Sequence, residues 1–144
     1  LGDVMKESAG LALGYVKSNA AKYGIDPNIF AENDIHIHFP EGAVPKDGPS
    51  AGVAITAAII SCLSGKAVSC DVAMTGEVTL RGKALAIGGL REKSMAALRC
   101  GIKTIVVPAD NQKDVDELPE EVKKSLKIVT MKCVDDALEV ALIK

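Results

Sequence analysis

The run from Ala51 to Leu63 constrains the fold more than any other stretch of this sequence. Between Ala51 and Ile60 it is made of glycine and aliphatic residues, with Thr56 as the one polar side chain. Such a run is too long and too rich in alanine for a strand, and it indicates a helix that is buried on most of its faces. Pro49 suits the first turn of a helix and Gly65 suits the stop, so we predict a helix over residues 49–64.

Ser50 lies at the start of this predicted helix, beside free backbone N–H groups and the positive end of the helix dipole. A serine oxygen in that place can attack a carbonyl carbon, and the N–H groups can hold the resulting oxyanion. The plainer alternative is a capping serine, since serine is a preferred residue at helix starts. An anion-binding site is disfavoured because the surrounding loop is not strongly basic.

Asp47 and two histidines lie close to Ser50 in the sequence. Asp47 could cap the same helix or shape the entrance of an active site, and we favour the capping role. Residues 35–39 alternate three apolar side chains with His36 and His38, which predicts a strand with both histidines on one face. A metal site would need further ligands, and none is evident. We interpret the histidines as packing or hydrogen-bonding residues, with a Ser-His-Asp triad through one of them as the alternative.

The rest of the chain alternates helical and extended patterns. We predict helices over residues 3–22, 90–100, 119–126 and 134–143, and strands over residues 71–75, 77–81, 84–87, 103–107 and 127–131. Residues 40–48 are predicted to be a loop, and residues 111–118 an acidic, solvated surface segment. The alternation predicts one α/β domain over residues 1–144, with a mixed sheet and flanking helices.

Composition and charge exclude several classes of function. The net charge is −2 and no basic run occurs, so nucleic acid and anionic membrane surfaces are poor partners. No apolar stretch reaches the ~18 residues that a membrane helix needs. The four cysteines form no Cys-x-x-Cys pair, which gives no support for zinc or for thioredoxin-like chemistry. Their presence without a secretory segment fits a reducing compartment, and we expect a cytoplasmic protein.

Lys93 is the second candidate catalytic residue, 43 positions after Ser50 and just inside the helix predicted from residue 90. A Ser–Lys pair is a variant of nucleophile–base catalysis in which a neutral lysine removes the serine proton. Free lysine has a pKa of ~10.4, so burial beside apolar groups would have to lower this pKa. The apolar residues that we expect to supply this lining are Ala84, Ala86, Ile87 and Met95. The plainer alternative is a solvated helix lysine, because lysine is seldom fully buried.

Three segments of the chain together resemble the proteolytic domain of the ATP-dependent Lon proteases. They are Pro45–Gly52 with the sequence PKDGPSAG, Met74–Glu77 with MTGE, and Gly88–Lys93 with GGLREK. The resemblance extends from the first predicted helix to the last, so it covers essentially the whole chain. Two segments differ from the pattern usual in the family: Ala84–Gly89 reads Ala-Leu-Ala-Ile-Gly-Gly in place of Val-Leu-Pro-Ile-Gly-Gly, and Arg91 replaces a common lysine.

The resemblance implies a residue assignment and a function. Ser50 would be the nucleophile, Lys93 its general base, and Thr75 a hydrogen-bonding residue that helps to orient the lysine. Apart from the resemblance, we list Asp47 and His36 as candidate supporting residues on the ground of their places near Ser50 in the sequence. The protein would be an ATP-dependent serine endopeptidase that hydrolyses peptide bonds of unfolded or damaged proteins through an acyl-enzyme. No cofactor or metal is expected within residues 1–144, which lack a phosphate-loop motif.

The resemblance also implies parts that lie outside these residues. A separate ATPase module would bind ATP and magnesium, N-terminal domains would precede it, and the full-length protein would form a hexameric ring. The proteolytic domain itself would have a β-rich start before Leu1. An alternative from another class is a non-catalytic, ring-forming scaffold of the same fold on another ATPase. The presence of both Ser50 and Lys93 argues against the scaffold, which needs neither residue.

Overall fold

The computed structural model describes residues 1–143. The helices are α1 Asp3–Ser18, α2 Ile29–Glu32, α3 Gly52–Ser64, α4 Leu90–Arg99, α5 Gln112–Asp116, α6 Glu120–Ser125 and α7 Val134–Ala141. The strands are β1 Val72–Met74, β2 Glu77–Val78, β3 Ala84–Leu85, β4 Thr104–Pro108 and β5 Lys127–Met131. Helices and strands alternate through most of the chain, so the predicted α/β class is confirmed.

Strand β4 is the centre of a three-stranded parallel sheet with the order β1-β4-β5. Its residues from Ile105 to Pro108 are buried, as expected for a central strand covered on both faces. The prediction of a buried parallel strand over residues 103–107 is therefore confirmed, with both ends one residue later. The remaining strands, β2 and β3, form a separate antiparallel hairpin.

Helices cover both faces of this sheet and create two hydrophobic cores. Val106 of β4 packs into the first core, which α1, α3 and α7 complete. Ile105 and Val107 face the second core, which is formed with α4, α6 and the residues near them. This division follows from the strand itself, because successive side chains of a strand point to opposite faces. No helix within residues 1–143 is long and apolar enough to cross a membrane.

Helix α3 has the burial that its composition predicts. Val53, Thr56 and Ile60 are almost completely buried, and the helix ends at Gly65, whose φ of 74° is left-handed. The helix begins later than predicted because residues 49–51 form a turn, in which the Gly52 N–H donates to the Pro49 carbonyl at 3.1 Å. The end of the predicted helix is thus confirmed, and its first turn is a different structure.

The predicted strand over residues 35–39 is wrong. These residues have no regular secondary structure, and no backbone group among residues 35–39 pairs with any other described backbone group. The alternation in the sequence is nevertheless present, since Ile35, Ile37 and Phe39 are half-buried and both histidines are exposed. An extended segment that packs one edge against α3 explains the pattern, because side-chain alternation requires only an extended backbone, not a paired one.

The segment over residues 111–118 is also different from its prediction as a solvated surface. It contains α5, and its two ends are buried: Asn111 is 1% exposed and Leu118 is 5% exposed. The acidic residues between them are on the outside. The charge-rich composition predicts the exposed face of this segment correctly. It gives no sign that Asn111 and Leu118 are buried.

The hairpin turn predicts a specific sensitivity to substitution. Gly82 has a left-handed φ of 83°, and a Cβ there would lie 2.5 Å from the ring of Tyr15. We expect Gly82→Ala to lower the free energy of unfolding by about 2–4 kcal/mol, because backbone strain and overpacking add. The matched control is Gly10→Ala, since Gly10 is inside α1 and a Cβ at this position would have nothing within 4 Å.

Chemical denaturation of the two variants and the wild type measures the difference. Gly10→Ala should raise stability by up to about 1 kcal/mol, because alanine is the better helix former. Equal stability of the two variants would contradict the proposed packing of Gly82 against Tyr15.

Candidate active site

The structure brings Ser50 and Lys93 together. The Lys93 Nζ donates a hydrogen bond to the Ser50 Oγ at 2.9 Å, although 43 positions separate the two residues. Ser50 lies in the turn before α3, and Lys93 lies in the first turn of α4. The pair therefore joins the starts of two helices that belong to different cores.

Ser50 is held by its backbone rather than by its side chain. Its carbonyl accepts hydrogen bonds from the Gly76 N–H at 2.8 Å and from the Thr75 Oγ1 at 3.2 Å. The Val53 N–H in turn donates to the Gly76 carbonyl at 3.0 Å. Glycine allows this close approach at position 76, because a Cβ would lie 2.7 Å from the Met131 side chain and 2.8 Å from that of Val53 and would displace them.

These contacts leave the Ser50 side chain free for Lys93. Helix α3 has Ala51 as its N-cap and no capping side chain, so the capping alternative for Ser50 is wrong. Among residues 1–143 the N–H groups of Ser50 and Ala51 donate to no acceptor. Unpaired N–H groups at the positive end of a helix can hold a developing negative charge.

Thr75 is placed beside the pair, in contact with Ser50 instead of Lys93. Its hydroxyl donates to the Ser50 carbonyl, and its N–H donates to the Val106 carbonyl of β4 at 3.1 Å. The hydrogen bond to the lysine that the family resemblance implies is not present between these two residues. Thr75 instead connects Ser50 to the central strand, and a role in orienting Lys93 stays a prediction.

An apolar cleft of about 310 Å³ opens beside the Ser50–Lys93 pair. Its apolar lining residues include Ala54, Ala73, Met74, Ala96, Ala97 and Ile105. None of the four residues expected from the sequence, Ala84, Ala86, Ile87 and Met95, lines it. The sequence held a usable signal, because Ala96 and Ala97 lie three and four positions after Lys93 and so share its helix face.

Burial in this cleft lowers the pKa of Lys93 below its ordinary value. The physical cause is desolvation, which penalises the charged ammonium more than the neutral amine. No carboxylate forms an ion pair with Lys93 within the described residues. The cleft therefore makes the neutral form of the lysine, which is the form that can accept a proton, easier to reach than it is in water.

Asp47 caps a different helix from the one predicted. Its Oδ1 accepts hydrogen bonds from the Met5 N–H of α1 at 2.9 Å and from the Gly48 N–H at 2.8 Å. These backbone hydrogen bonds, that from Met5 first, lower the pKa of the Asp47 carboxyl. The prediction that Asp47 caps the Ser50 helix is wrong, because the start of α1 lies against this loop and its free N–H groups are the nearer donors. Asp47 thus ties the loop before Ser50 to α1.

The histidines do not join the Ser50–Lys93 pair. His36 and His38 line a separate apolar groove between the extended segment 35–39 and α3. No group of three or more potential metal ligands occurs within residues 1–143. The alternative of a Ser-His-Asp triad through either histidine has no support in the geometry, since the only side chain bonded to the Ser50 Oγ in the described chain is Lys93.

Comparison with known proteins agrees with the geometry. All 144 residues match the family model described as the Lon protease (S16) C-terminal proteolytic domain. The chain is 59% identical over 142 residues to the Lon protease of Chloroflexus aggregans, and 58% identical over 144 residues to that of Azospirillum brasilense. It is 52% identical over 143 residues to Lon protease 1 of Bacillus subtilis.

These alignments cover 99–100% of this chain and 17–18% of the relatives. The chain thus spans less than a fifth of the length of the curated relatives that it matches. A match over every residue to one family model, with relatives above half identity, establishes the family. The chain belongs to the Lon protease family, in which it corresponds to the C-terminal proteolytic domain.

Proposed function

We propose that Ser50 and Lys93 form the catalytic dyad of a serine endopeptidase, with Ser50 as nucleophile and Lys93 as general base. The observation that carries this proposal is the 2.9 Å hydrogen bond between the Lys93 Nζ and the Ser50 Oγ. This distance is within the range that proton transfer to a general base requires. Once Lys93 is neutral, the same contact lets the serine hydroxyl donate to the amine.

Acylation follows from this contact. The Ser50 Oγ attacks the carbonyl carbon of the scissile peptide bond while Lys93 takes the hydroxyl proton. The N–H groups at the start of α3 stabilise the oxyanion of the tetrahedral intermediate. The intermediate collapses, the carbon–nitrogen bond breaks, and the Lys93 ammonium returns its proton to the leaving amine. The product is an ester between Ser50 and the acyl part of the substrate.

Deacylation repeats these steps with water as nucleophile. Neutral Lys93 takes a proton from water, and the oxygen attacks the ester carbonyl. When the carbon–oxygen bond to Ser50 breaks, Lys93 returns the proton to the serine oxygen. The cycle consumes one water per peptide bond and restores both residues. It requires a neutral lysine at each start, which the apolar cleft favours by lowering the Lys93 pKa.

The substrate and the assembly are further parts of the proposal. The matched relatives carry the name Lon protease and are more than five times as long as this chain. We assign to the longer polypeptide a hexameric ring, unfolded or damaged proteins as substrates, and ATP and magnesium bound outside residues 1–144. The family resemblance supports these assignments. The non-catalytic scaffold is the competing hypothesis, and it has no use for the Ser50–Lys93 contact.

Two substitutions test the dyad in the complete protein that contains this chain. We expect Ser50→Ala to abolish hydrolysis of an unstructured protein and to leave the fold intact, because it deletes one half-buried oxygen. We expect Lys93→Arg to be inactive as well, since arginine keeps its proton at any usable pH and cannot act as a base. Turnover of casein, with folding checked by circular dichroism, is the measurement.

Ser64→Ala and Lys113→Arg are the matched controls, because these residues lie outside the cleft. Both controls should retain wild-type turnover. Wild-type turnover by Ser50→Ala would reject the nucleophile, and substantial turnover by Lys93→Arg would assign Lys93 an electrostatic role instead. Inactivity of the wild-type complete protein against every unfolded substrate would favour the scaffold.

The lowered pKa of Lys93 makes a separate prediction about stability. Below its folded pKa, the wild type carries a charged amine in a cleft that disfavours charge, so Lys93→Met should unfold at a higher denaturant concentration at pH 7. Because the unfolded chain binds the proton more tightly, wild-type stability rises with pH through the folded pKa. The advantage of Lys93→Met should therefore shrink as the pH approaches ~10.4.

Urea denaturation between pH 6 and pH 10 measures this difference, with Lys113→Met as the control for loss of an exposed lysine. A Lys93→Met variant that is less stable than the wild type at pH 7 would contradict the desolvation account. Lys113→Met should show no comparable increase in stability over the wild type at pH 7.

A further inference from the structure

The buried side chain of Asn111 holds the segment that leads into α4. Its Oδ1 accepts a hydrogen bond from the Ile87 N–H at 3.0 Å, and its Nδ2 donates to the Ile87 carbonyl at 2.8 Å. One side chain thus pairs both backbone polar groups of Ile87, as a neighbouring strand would. Asn111 is only 1% exposed, so these hydrogen bonds have little competition from water.

Asp114 fixes the orientation of the Asn111 amide. The Nδ2 also donates to the Asp114 Oδ2 at 2.8 Å. A carboxylate only accepts hydrogen bonds, so the NH₂ end of the amide must face Asp114. The Oδ1 then faces the Ile87 N–H in the one arrangement that satisfies every group.

The short segment between Ile87 and α4 has no side chain that could fix its conformation. Gly88 and Gly89 connect Ile87 to the first residue of the helix, Leu90. A Cβ at Gly88 would meet nothing within 4 Å, and Gly89 has a left-handed φ of 71°. Two glycines without side-chain contacts leave the backbone a wide conformational choice. The tether at Ile87 therefore restricts the entry into α4 from one side of the two glycines, and Leu90, which is 3% exposed in the second core, anchors the other side.

The same segment is bonded directly to the lysine. The Lys93 N–H donates to the Gly89 carbonyl at 3.0 Å, so the place of Gly89 sets the first turn of α4. Asn111 closes the 3₁₀ turn Ala109–Asn111 that follows β4. Strand β4 also accepts the Thr75 N–H at Val106, on the path that holds Ser50. Strand β4 is thus connected to both proposed catalytic residues. Thr75 links it to Ser50, and Asn111 links it to the segment that leads to Lys93.

We propose that Asn111 is a positioning residue for Lys93, which fixes the start of α4 so that the Nζ stays desolvated within hydrogen-bonding distance of Ser50. This proposal rests on the Ser50–Lys93 dyad proposed above. It assigns to Asn111 no contact with substrate, since Asn111 lies outside the cleft. Without the tether, the first turn of α4 shifts, the amine gains water, and its pKa returns toward the ordinary value.

Asn111→Ala in the complete protein tests this role through the hydrolysis of a short fluorogenic peptide. We expect kcat to fall about 10- to 100-fold with little change in KM, because a small misplacement of a catalytic group costs up to about that factor. We also expect the midpoint of the rising limb of the kcat–pH profile to move to higher pH. A residue that merely supports the fold would reduce the amount of active protein and leave that midpoint unchanged.

Asn19→Ala is the matched control. Asn19 is half-buried and donates to the Tyr15 carbonyl at 2.9 Å at the end of α1, away from the cleft. The Asn19→Ala variant should be less stable than the wild type. Its kcat per folded molecule and the midpoint of its kcat–pH profile should equal those of the wild type. Hydrogen exchange provides a reading independent of activity: the Ile87 amide should be protected in the wild type and exchange faster in Asn111→Ala.

Asp114→Ala decides the question where Asn111→Ala does not fold, because Asp114 is exposed and its loss removes one of the three hydrogen bonds that hold the amide while keeping the two with Ile87. It should shift kcat and the pH midpoint in the same directions by a smaller factor. Wild-type kcat and midpoint in the folded Asn111→Ala protein would overturn the proposal, as would wild-type values in Asp114→Ala if that variant alone folds. Turnover by Ser50→Ala would instead reject the dyad itself, so the two failures are distinguishable.

Discussion

The burial of strand β4 is the constraint on which the rest of the structure depends. Successive residues of this strand face opposite cores, with Val106 toward α3 and Ile105 and Val107 toward α4. Helices α3 and α4 therefore pack on opposite faces of one sheet, and Ser50, in the turn before α3, contacts Lys93 of α4 beside strand β1. The Val106 carbonyl accepts the Thr75 N–H, and the Thr75 hydroxyl donates to the Ser50 carbonyl, so the strand also supports Ser50 through Thr75. A displacement of β4 would change the distance between the two candidate catalytic atoms.

The chemistry proposed for Lys93 depends on an apolar cleft in which no carboxylate of residues 1–143 pairs with the lysine. The cleft walls are small and apolar, and they lower the Lys93 pKa by desolvation without a charged partner. A carboxylate in the same place would raise the pKa of the lysine and remove its use as a base. Small residues such as Ala96 and Ala97 also leave space that larger side chains would fill. Stability and proton transfer are thus in opposition at this position, as is common where a charge is buried for function.

The sequence predicted those parts of the fold whose signal is local. Continuous burial predicted α3 and β4, and the glycine at position 65 predicted where α3 ends. Prediction from the sequence failed where the hydrogen-bond partner of a residue is distant in the chain. Asp47 caps α1, and Asn111 accepts a hydrogen bond from the Ile87 N–H. The candidate pair itself was predicted from two motifs. The cleft was not predicted, because part of its wall comes from β1 and α3, whose approach to Lys93 no local pattern encodes.

Covalent labelling of Ser50 is the measurement that tests the dyad most directly. An alkyl fluorophosphonate phosphonylates an activated serine with loss of fluoride, and trypsin then releases residues 47–66, which also contain Ser61 and Ser64. Fragmentation in a mass spectrometer should place the adduct on Ser50 alone. Its rate of formation should rise with pH, with a midpoint below the ~10.4 of free lysine, and should be lost in Lys93→Met. An adduct on another serine, or equal labelling of Ser50 with and without Lys93, would contradict the account.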